Sequence, residues 1–208
     1  WQKAGLEEDV PLNLRRGDAL EGQADWKGRV ATVVGNPPFV EGRGLSEEKL
    51  ASLRGRFRSA RRGKVNLCAV FAQRGLEFLR PGGRLRLIVP APLLRNDRYV
   101  SLRRLLLEQA LEQLRPLPVE VFGGRSVETL VLACRKSLPG PSQRVLTPEG
   151  EVAQGQLARG ASLKFSLRDS PRRRELVGRL EERGEPLGRW FEVRDGISTG
   201  FQPFPLRL

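Results

Sequence analysis

The chain has 208 residues, and its 37 lysine and arginine residues outnumber 24 aspartate and glutamate residues to give a formal net charge of +13. This length allows one domain with a substantial core and the beginning of a second. The sequence contains no histidine, which excludes Ser-His catalysis and the usual zinc hydrolase chemistry within it.

Nearly all of the positive charge is arginine, whose planar guanidinium binds phosphate oxygens in pairs and stacks on bases. The excess favours a polyanionic partner, although a compositional bias toward arginine is an alternative explanation. Cys68 and Cys134 stand in no metal-ligand spacing, so both are expected to be small buried apolar residues in a reducing compartment. No apolar run is long enough to cross a membrane and no secretory signal is visible, which makes a cytoplasmic location the expectation.

The first predicted elements are two short strands and the start of a helix. Leu12 to Arg16 predicts a strand that runs into the acidic turn Gly17-Asp18. The β-branched run Val30 to Val34 predicts a second, buried strand. Ser46 precedes two glutamates and a lysine, which predicts a helix with Ser46 as its N-cap.

A basic loop follows between Arg54 and Lys64, with six positively charged residues and no acid. Such a cluster is expected to contact phosphates and so to position a duplex without reading its sequence. The alternative is a solvated basic loop. The six residues are Arg54, Arg56, Arg58, Arg61, Arg62 and Lys64.

The middle of the chain alternates between helix and strand patterns. Apolar residues at helical spacing from Leu67 to Leu79 predict a helix that stops before Pro81-Gly82-Gly83. A strand is predicted from Leu85 to Val89, and it ends at Pro90. A leucine- and arginine-rich helix is predicted from Tyr99 to Leu114.

Val119 to Phe122 and Thr129 to Cys134 predict two further strands, close enough in sequence to pair antiparallel at one edge of a sheet. The alternation of strands and helices predicts an α/β fold with a mostly parallel sheet covered on both faces. Pro, Gly, Gln and Ser are frequent from Leu138 to Gly160, which predicts a linker or an irregular excursion of the chain. A short helix is expected from Leu176 to Glu182, and apolar residues after Pro186 indicate the opening of another element.

The segment Asn36-Pro37-Pro38-Phe39 suits one task, which is to hold a flat, amine-bearing group at the carboxyl end of a sheet. Asn36 offers a side-chain carbonyl that accepts from an amine. The prolines fix φ and restrict the residues before them, so the turn is stiff, and Pro37 keeps a backbone carbonyl as a second acceptor. Phe39 offers a face on which a base can stack. The alternative is an ordinary Asn-Pro turn at the end of a strand.

In their order along the chain, these motifs resemble those of the DNA adenine-N6 methyltransferases of restriction–modification systems, in particular the type whose target recognition domain follows the catalytic domain. Asn36-Pro37-Pro38-Phe39 is similar to the catalytic motif, with phenylalanine in place of the commoner tyrosine. The other similar segments are Gly17-Asp18-Ala19-Leu20, Lys64-Val65-Asn66-Leu67 with Phe71, Leu79-Arg80-Pro81-Gly82-Gly83-Arg84-Leu85 with Val89-Pro90, Val121-Phe122-Gly123-Gly124, Pro186-Leu187-Gly188 and Gly196-Ile197-Ser198-Thr199-Gly200.

The resemblance implies a Rossmann-like S-adenosylmethionine-dependent methyltransferase fold, with S-adenosylmethionine as cofactor and double-stranded DNA as substrate. It implies methyl transfer to N6 of an adenine that has left the duplex, at an unstacking cost of about a few kcal/mol. It also implies a cognate restriction endonuclease, encoded nearby, as a further partner. Neither a metal nor a membrane is implied.

The resemblance also implies roles for single residues. The residues expected to be catalytic are Asn36, Pro37, Pro38 and Phe39. Those expected to bind the cofactor are Asp18, Ala19, Asn36 and Pro38. Those expected to form the pocket for the target base are Phe39, Phe71 and Phe122. Core packing is the alternative for Phe71, and a solvated turn residue is the alternative for Asp18.

The sequence departs from the family in one respect. The glycine-rich cofactor loop, which should precede the Asp18 turn, and the acidic residue for the cofactor ribose are missing. We therefore expect an N-terminally truncated catalytic domain that is inactive alone. On this interpretation residues 1–137 are a partial methyltransferase domain, 138–184 a connector, and 185–208 the start of a target recognition domain.

Two alternative functions stay open. The same catalytic turn serves methyltransferases that act on a glutamine amide in a protein or on a base in RNA, although the basic loop and the opening of a recognition domain count against them. The missing glycine loop also allows a non-catalytic DNA-binding fragment of a split system, with its cofactor half on another chain.

Overall fold

The computed structural model describes residues 14–22, 24–42, 44–61, 64–118, 128–167 and 170–192. The chain divides into two compact units, residues 1–168 and 169–208. The α-helices and strands described in the first unit are β1 (Val30–Gly35), α1 (Glu47–Arg56), α2 (Leu67–Phe78), β2 (Leu79–Pro90), α3 (Val100–Leu107), β3 (Ala110–Pro116), β4 (Thr129–Arg135), β5 (Arg144–Thr147), β6 (Gly150–Ala153), β7 (Ala158–Arg159) and β8 (Lys164–Phe165). In the second unit, α4 spans Pro171–Arg183.

Six strands form one sheet in the order β1-β2-β4-β3-β5-β6, and β7 pairs with β8. β1 is parallel to β2, and β3 is parallel to β5. β4 runs antiparallel to both β2 and β3, and β6 antiparallel to β5. Four of these six strands, β1, β2, β3 and β5, therefore point the same way, which confirms the predicted α/β fold with a mostly parallel sheet and an antiparallel pair.

The antiparallel pair differs in detail from the prediction. Its second strand is β4, which covers the predicted range Thr129 to Cys134, but β4 lies inside the sheet between β2 and β3. Among the described strands, β4 pairs antiparallel with β3, which precedes it along the chain. The sheet continues beyond β3 into β5 and β6, so this pair does not form an edge. The predicted strand from Val119 to Phe122 lies outside the described residues.

The long helix predicted from Tyr99 to Leu114 is wrong in its second half. Helix α3 ends at Leu107, and the residues from Ala110 onward form strand β3. Leu111 and Leu114 are fully buried there and pair with β4. The helix propensity of leucine, glutamate and glutamine is overridden because pairing with β4 buries these leucines in the sheet.

Helix α2 is buried on nearly all sides, with nine of its twelve residues buried. Cys68 and Leu76 join the main core, which is the apolar cluster formed largely by α2, α3, β2, β3 and β4. Val70 joins a second core, which is the smaller cluster of Leu20, Leu53, Phe57, Ala60, Val65 and Val70. A helix that is apolar all round is expected to be enclosed in this way.

Gly75 sets how closely α2 approaches the sheet. A Cβ atom at this position would lie 2.7 Å from the Leu85 Cδ1 atom and 3.3 Å from the Val33 Cγ1 atom. A side chain at this position would therefore require the Leu85 and Val33 side chains to shift. The same strands carry the turn that follows β1, so this close approach fixes where that turn stands.

The Pro81-Gly82-Gly83 motif lies in an irregular part of β2. The predicted helix stop is confirmed, because α2 ends at Phe78. The pairing of β2 with β1 shifts register between Leu79 and Arg84. Gly82 has a φ of +75°, and a Cβ atom on Gly83 would stand 3.0 Å from the Ala31 carbonyl oxygen. Glycines are needed here because β2 bulges against β1.

The linker predicted from Leu138 to Gly160 is wrong, because this range forms β5 and β6 and extends the sheet. Neutral amide groups join it to β3. The Gln154 Oε1 atom accepts from the Leu111 N–H at 2.8 Å, and its Nε2 atom donates to the Gln109 carbonyl at 2.8 Å. The Gln143 Nε2 atom donates to the Leu111 carbonyl at 2.7 Å. The composition resembles a linker because these bonds use the polar residues that linkers also contain.

Local predictions at the remaining elements had mixed outcomes. Ser46 is confirmed as the N-cap of α1, where its side chain accepts from the Lys49 N–H at 3.2 Å. Helix α4 includes the predicted range Leu176 to Glu182. Leu14 to Arg16 form no strand, and the Leu14 side chain is exposed. Residues 12 and 13 and those after residue 192 lie outside the described part of the chain.

The two thiols are free and fully buried, as the sequence predicts. Burial raises the pKa of Cys68 and of Cys134 to about 12, from an ordinary value of 9.0. We predict that an aromatic disulfide reagent at pH 8 labels neither thiol until denaturant is added. Labelling at the rate of a free thiol in native buffer would contradict this burial.

The same raised pKa values predict a pH dependence of stability. Unfolded thiols lose their protons near pH 9, whereas the folded protein keeps them until about pH 12. The free energy of unfolding should therefore fall as pH rises between these values, because the native state binds more protons there. Urea titrations at several pH values check this, and replacing both cysteines by alanine should remove part of the slope.

Candidate active site

The turn after β1 places its four residues in different surroundings. Asn36 follows the last residue of β1 and is exposed, as is Pro38, whereas Pro37 is buried. Phe39 is half-buried and packs against the main core. The asparagine side chain is thus open to a ligand while Pro37 and Phe39 fix the turn to the protein.

An open cavity of about 280 Å³ lies at this turn. Val33, Phe78 and Leu87 give it apolar walls, and Gly75 leaves room for it. It brings together five of the residues predicted for the site, which are Ala19, Asn36, Pro37, Pro38 and Phe71. Asp18 and Phe39 are not among the residues that line it.

Asp18 organises the turn next to the cavity. Its Oδ1 atom accepts from the Leu20 N–H at 2.9 Å, and its Oδ2 atom accepts from the Lys49 Nζ atom at 3.0 Å. The bond from the Leu20 N–H, helped by Lys49 and opposed by partial desolvation, lowers the pKa of the Asp18 carboxyl. An aspartate that bonds the backbone two residues ahead forms a tight local turn, and this turn presents Ala19 to the cavity.

Arg74 ties that turn to α2. Its Nε atom donates to the Ala19 carbonyl at 3.1 Å, and its Nη2 atom donates to the Gly22 carbonyl. Its Nη1 atom pairs with the Glu77 carboxylate at 3.1 Å, and the guanidinium lies 4.7 Å from the centre of the Phe78 ring. The buried arginine therefore links the backbone carbonyls of the Asp18 turn to helix α2.

Arg74 was not predicted from the sequence. A single arginine in a helical pattern usually faces solvent. Its position was nonetheless informative, because it stands three residues after Phe71 and four before Phe78, on one face of the helix. Both of those phenylalanines line the cavity, and so does Arg74.

Of the three predicted pocket aromatics, the structure describes Phe39 and Phe71. Phe71 lines the cavity and also packs against the second core. Phe39 packs against the main core. Phe122 lies outside the described residues, and its role stays a prediction.

The basic loop separates into two groups. The Arg56 Nη2 atom donates to the Leu20 carbonyl at 2.7 Å, and Arg58 bonds both carboxylate oxygens of Glu108 at 2.8 and 3.2 Å. These bonds to protein acceptors favour a structural role for Arg56 and Arg58 over the predicted phosphate contact. Arg54, Arg61 and Lys64 are exposed, as are Arg56 and Arg58, while Arg62 lies outside the described residues.

The polar groups at the cavity include acceptors for an amine. The Asn36 amide oxygen and the Pro37 carbonyl are hydrogen-bond acceptors, and the other walls are apolar except for Arg74, which pairs with Glu77. Within the described ranges, no three Cys, Asp or Glu side chains converge as a metal site, and no helix has the length and apolarity to cross a bilayer.

The described sheet and helices have the Rossmann-like fold of S-adenosylmethionine-dependent methyltransferases. Residues 8–122 match the family of Eco57I restriction-modification methylases. The match includes β1, the turn after it, α2 and β2, and covers more than half of the chain's 208 residues. The chain therefore belongs to this family.

Similar proteins include a methyltransferase and parts of restriction enzymes. The Type II methyltransferase M.TthHB8I of Thermus thermophilus is 30% identical in an alignment of 174 residues, which covers 78% of this chain and 39% of that protein. Among solved structures, the M protein of the type I restriction enzyme EcoKI is 26% identical with a TM-score of 0.46, over 58% of this chain and 24% of that one. The type IIG restriction endonuclease BpuSI is 21% identical with a TM-score of 0.49, over 64% and 17%. The chain thus spans about two fifths of the Thermus relative's length.

We predict that Arg74→Met destabilises the protein although it keeps the bulk of the side chain. The Ala19 and Gly22 carbonyls lose charged donors, and bonds of this kind contribute about 1.5–3 kcal/mol each. Urea denaturation should show a loss of about 2–4 kcal/mol on this basis. Arg86→Met at an exposed position of β2 is the matched control, and equal midpoints for the two variants would contradict the role of Arg74.

Proposed function

We propose that the protein to which this chain belongs is a site-specific DNA methyltransferase that transfers a methyl group to N6 of adenine. The observation that carries the proposal is the cavity at the end of β1. It is lined by Asn36, Pro37 and Pro38 together with Ala19 and Phe71. Family membership supports a methyltransferase, and the choice of an amino group as substrate rests on these residues.

The residues present fit one part of S-adenosylmethionine, which supplies a sulfonium methyl group. Ala19, Asn36 and Pro38 were all expected to bind it, and all three line the cavity. Phe71 and Val33 give apolar walls that suit a flat purine. The cavity volume of about 280 Å³ is near the lower limit of small-molecule sites, which begin at about 300 Å³. Because Phe71 lines the same cavity as these three residues, we propose that it forms a wall of the cofactor site and not of the pocket for the target base.

Asn36 and Pro37 act on the amino group of the target base. The Asn36 Oδ1 atom and the Pro37 carbonyl each accept one amino hydrogen, which favours a pyramidal nitrogen with a localised lone pair. These acceptors are set in place before the reaction, because Pro37 is buried and the two prolines stiffen the turn. Oriented dipoles and positioning then supply most of the rate enhancement, and no strong base is needed.

Phe39 is the proposed stacking partner of the displaced adenine. Leaving the duplex costs about a few kcal/mol, and stacking on an aromatic ring returns roughly 1–3 kcal/mol per base. The Phe39 side chain is half-buried, and its inner side packs against the main core. Contact with the core restrains the ring, and its exposed part is the proposed stacking surface for the base. Phe122 remains a second proposed wall of this pocket.

Double-stranded DNA is the proposed substrate, held by Arg54, Arg61, Arg62 and Lys64 through phosphates. A cognate restriction endonuclease is a proposed further partner, and a cytoplasmic location belongs to the same proposal. The recognition role of residues 185–208 also stays a proposal.

The first test is methyl transfer by the complete product of the gene that encodes this chain. The protein is incubated with duplex DNA and methyl-labelled S-adenosylmethionine, and the digested nucleosides are separated. We expect label in N6-methyladenine. Asn36→Ala should reduce turnover by at least about 10²-fold, comparable to the loss of one preorganised transition-state bond. Phe39→Ala should lose more activity than Phe39→Tyr, because tyrosine keeps the stacking face.

Glu151→Gln on β6 is the control, since Glu151 is exposed and lies on the outer hairpin. Label in protein or RNA in place of DNA would move the assignment to the alternative methyltransferases. No label anywhere, with a folded protein that still binds DNA, would favour the non-catalytic alternative. Full activity of Asn36→Ala would remove Asn36 from the mechanism.

The basic residues give a separate prediction for DNA binding. A variant with Arg54→Gln, Arg61→Gln and Lys64→Gln should bind all duplexes more weakly. The slope of log affinity against log salt concentration should fall by roughly 0.9 for each phosphate that the variant no longer neutralises. Arg58→Gln should leave the slope unchanged, because Arg58 bonds Glu108. Fluorescence anisotropy across a salt series measures the affinity and the slope for each variant. Equal slopes for the triple variant and Arg58→Gln would contradict the separation of Arg58 from the phosphate-binding residues.

A further inference from the structure

The segment that follows the proposed catalytic turn is paired with the start of helix α2. The Leu67 N–H donates to the Val40 carbonyl at 3.0 Å, and the Gly42 N–H donates to the Val65 carbonyl at 2.8 Å. A Cβ atom on Gly42 would stand 2.7 Å from the Leu50 Cδ2 atom, so a larger residue here would displace the Leu50 side chain. Residue 40 directly follows Phe39, and any movement of this segment therefore moves the turn.

Asn66 stands at the centre of this pairing and does not behave as an ordinary N-cap. It occupies the N-cap position of α2, yet its side chain caps no helix N–H. Its Nδ2 atom instead donates to the Tyr99 hydroxyl oxygen at 2.9 Å. The residue is only 5% exposed, and its Oδ1 atom has no hydrogen-bond partner among the described residues. The side chain therefore bonds Tyr99 and does not form the usual capping bond to the helix.

Tyr99 belongs to a short helical turn, Asp97–Tyr99, beyond the end of β2. It is buried in the main core, and this burial raises the pKa of its hydroxyl, which stays protonated. The neighbouring Arg98 forms an ion pair with Glu41, which itself bridges to Asn66 through the backbone. The segment from Val40 to Gly42 is therefore held from two directions, by α2 and by this turn.

We propose that Asn66 and Tyr99 are positioning residues, which hold the Asn36–Phe39 turn in its reactive geometry through the segment from Val40 to Gly42. The inference rests on the proposed function, since the reaction gives the turn its purpose. Neither side chain lines the cavity at the turn, so both act through the segment. A displacement of about 1 Å at a reacting group can cost roughly 10²-fold in rate, which makes such a device important for turnover.

Asn66→Ser separates positioning from stability. Serine is a good N-cap and can bond the helix N–H groups that asparagine leaves aside, but it is too short to reach Tyr99. We expect an unchanged or raised melting temperature together with a kcat at least about tenfold lower. The KM values for DNA and for S-adenosylmethionine should stay within about twofold, because neither binding surface is altered.

Tyr99→Phe removes the same bond from its other end and should give a similar loss of kcat. The double variant should lose no more than either single variant, because residues of one hydrogen bond are not additive. Glu151→Gln is again the control. Single variants that keep kcat within about twofold of the parent, or losses that multiply in the double variant, would overturn the proposal.

Hydrogen exchange gives a readout that does not depend on activity. In Tyr99→Phe, the amides of Gly42 and Leu67 should exchange at least about tenfold faster, while those of β2 and β4 keep their rates. Unchanged exchange at Gly42 and Leu67 would overturn the positioning role. A parent that methylates no DNA, with faster exchange in the variant, would overturn the proposed function and leave the positioning role supported.

Discussion

Helix α2 lies close against the sheet at Gly75, and the candidate site is built around that contact. The helix carries Phe71 and Arg74 on the face that lines the cavity, and Asn66 precedes it at its N-terminal end. Moving the helix outward by the width of one methyl group would shift the cavity wall, the turn that Asp18 organises, and the segment after Phe39 together. The geometry of the site is thus set by packing, and the polar bonds refine it.

These polar bonds share one design, in which side chains on well-packed elements bond the backbone of irregular segments. Arg74 and Arg56 bond carbonyls of the turn from Asp18 to Gly22, and Arg103 bonds three carbonyls around α3. Each guanidinium carries several N–H donors in a fixed planar arrangement, so one side chain can bond more than one carbonyl. A fold rich in arginine gains ordered loops from this composition, in addition to any affinity for phosphate.

The parts of the fold that could be predicted from sequence are those where one local signal dominates. The β-branched run of β1, the periodicity of α2 and the capping serine of α1 each determine their element. β3 could not be predicted, because Leu111 and Leu114 suit a helix equally well until β4 is present to pair with them. At the site, Asn36 to Pro38 and Ala19 were predictable from their motifs. Arg74 and Tyr99 were not, because their roles depend on carbonyls and amides that are distant in sequence.

The glutamine bonds that join β5 and β6 to β3 connect neutral groups. Added salt screens the attraction between exposed charges, but it leaves short bonds between buried amides almost untouched. Binding of a chain with a net charge of +13 to a polyanion, in contrast, responds strongly to ionic strength. If the protein binds a duplex as proposed, a change in ionic strength would therefore alter that affinity and leave the bonds between β3 and the β5–β6 hairpin intact.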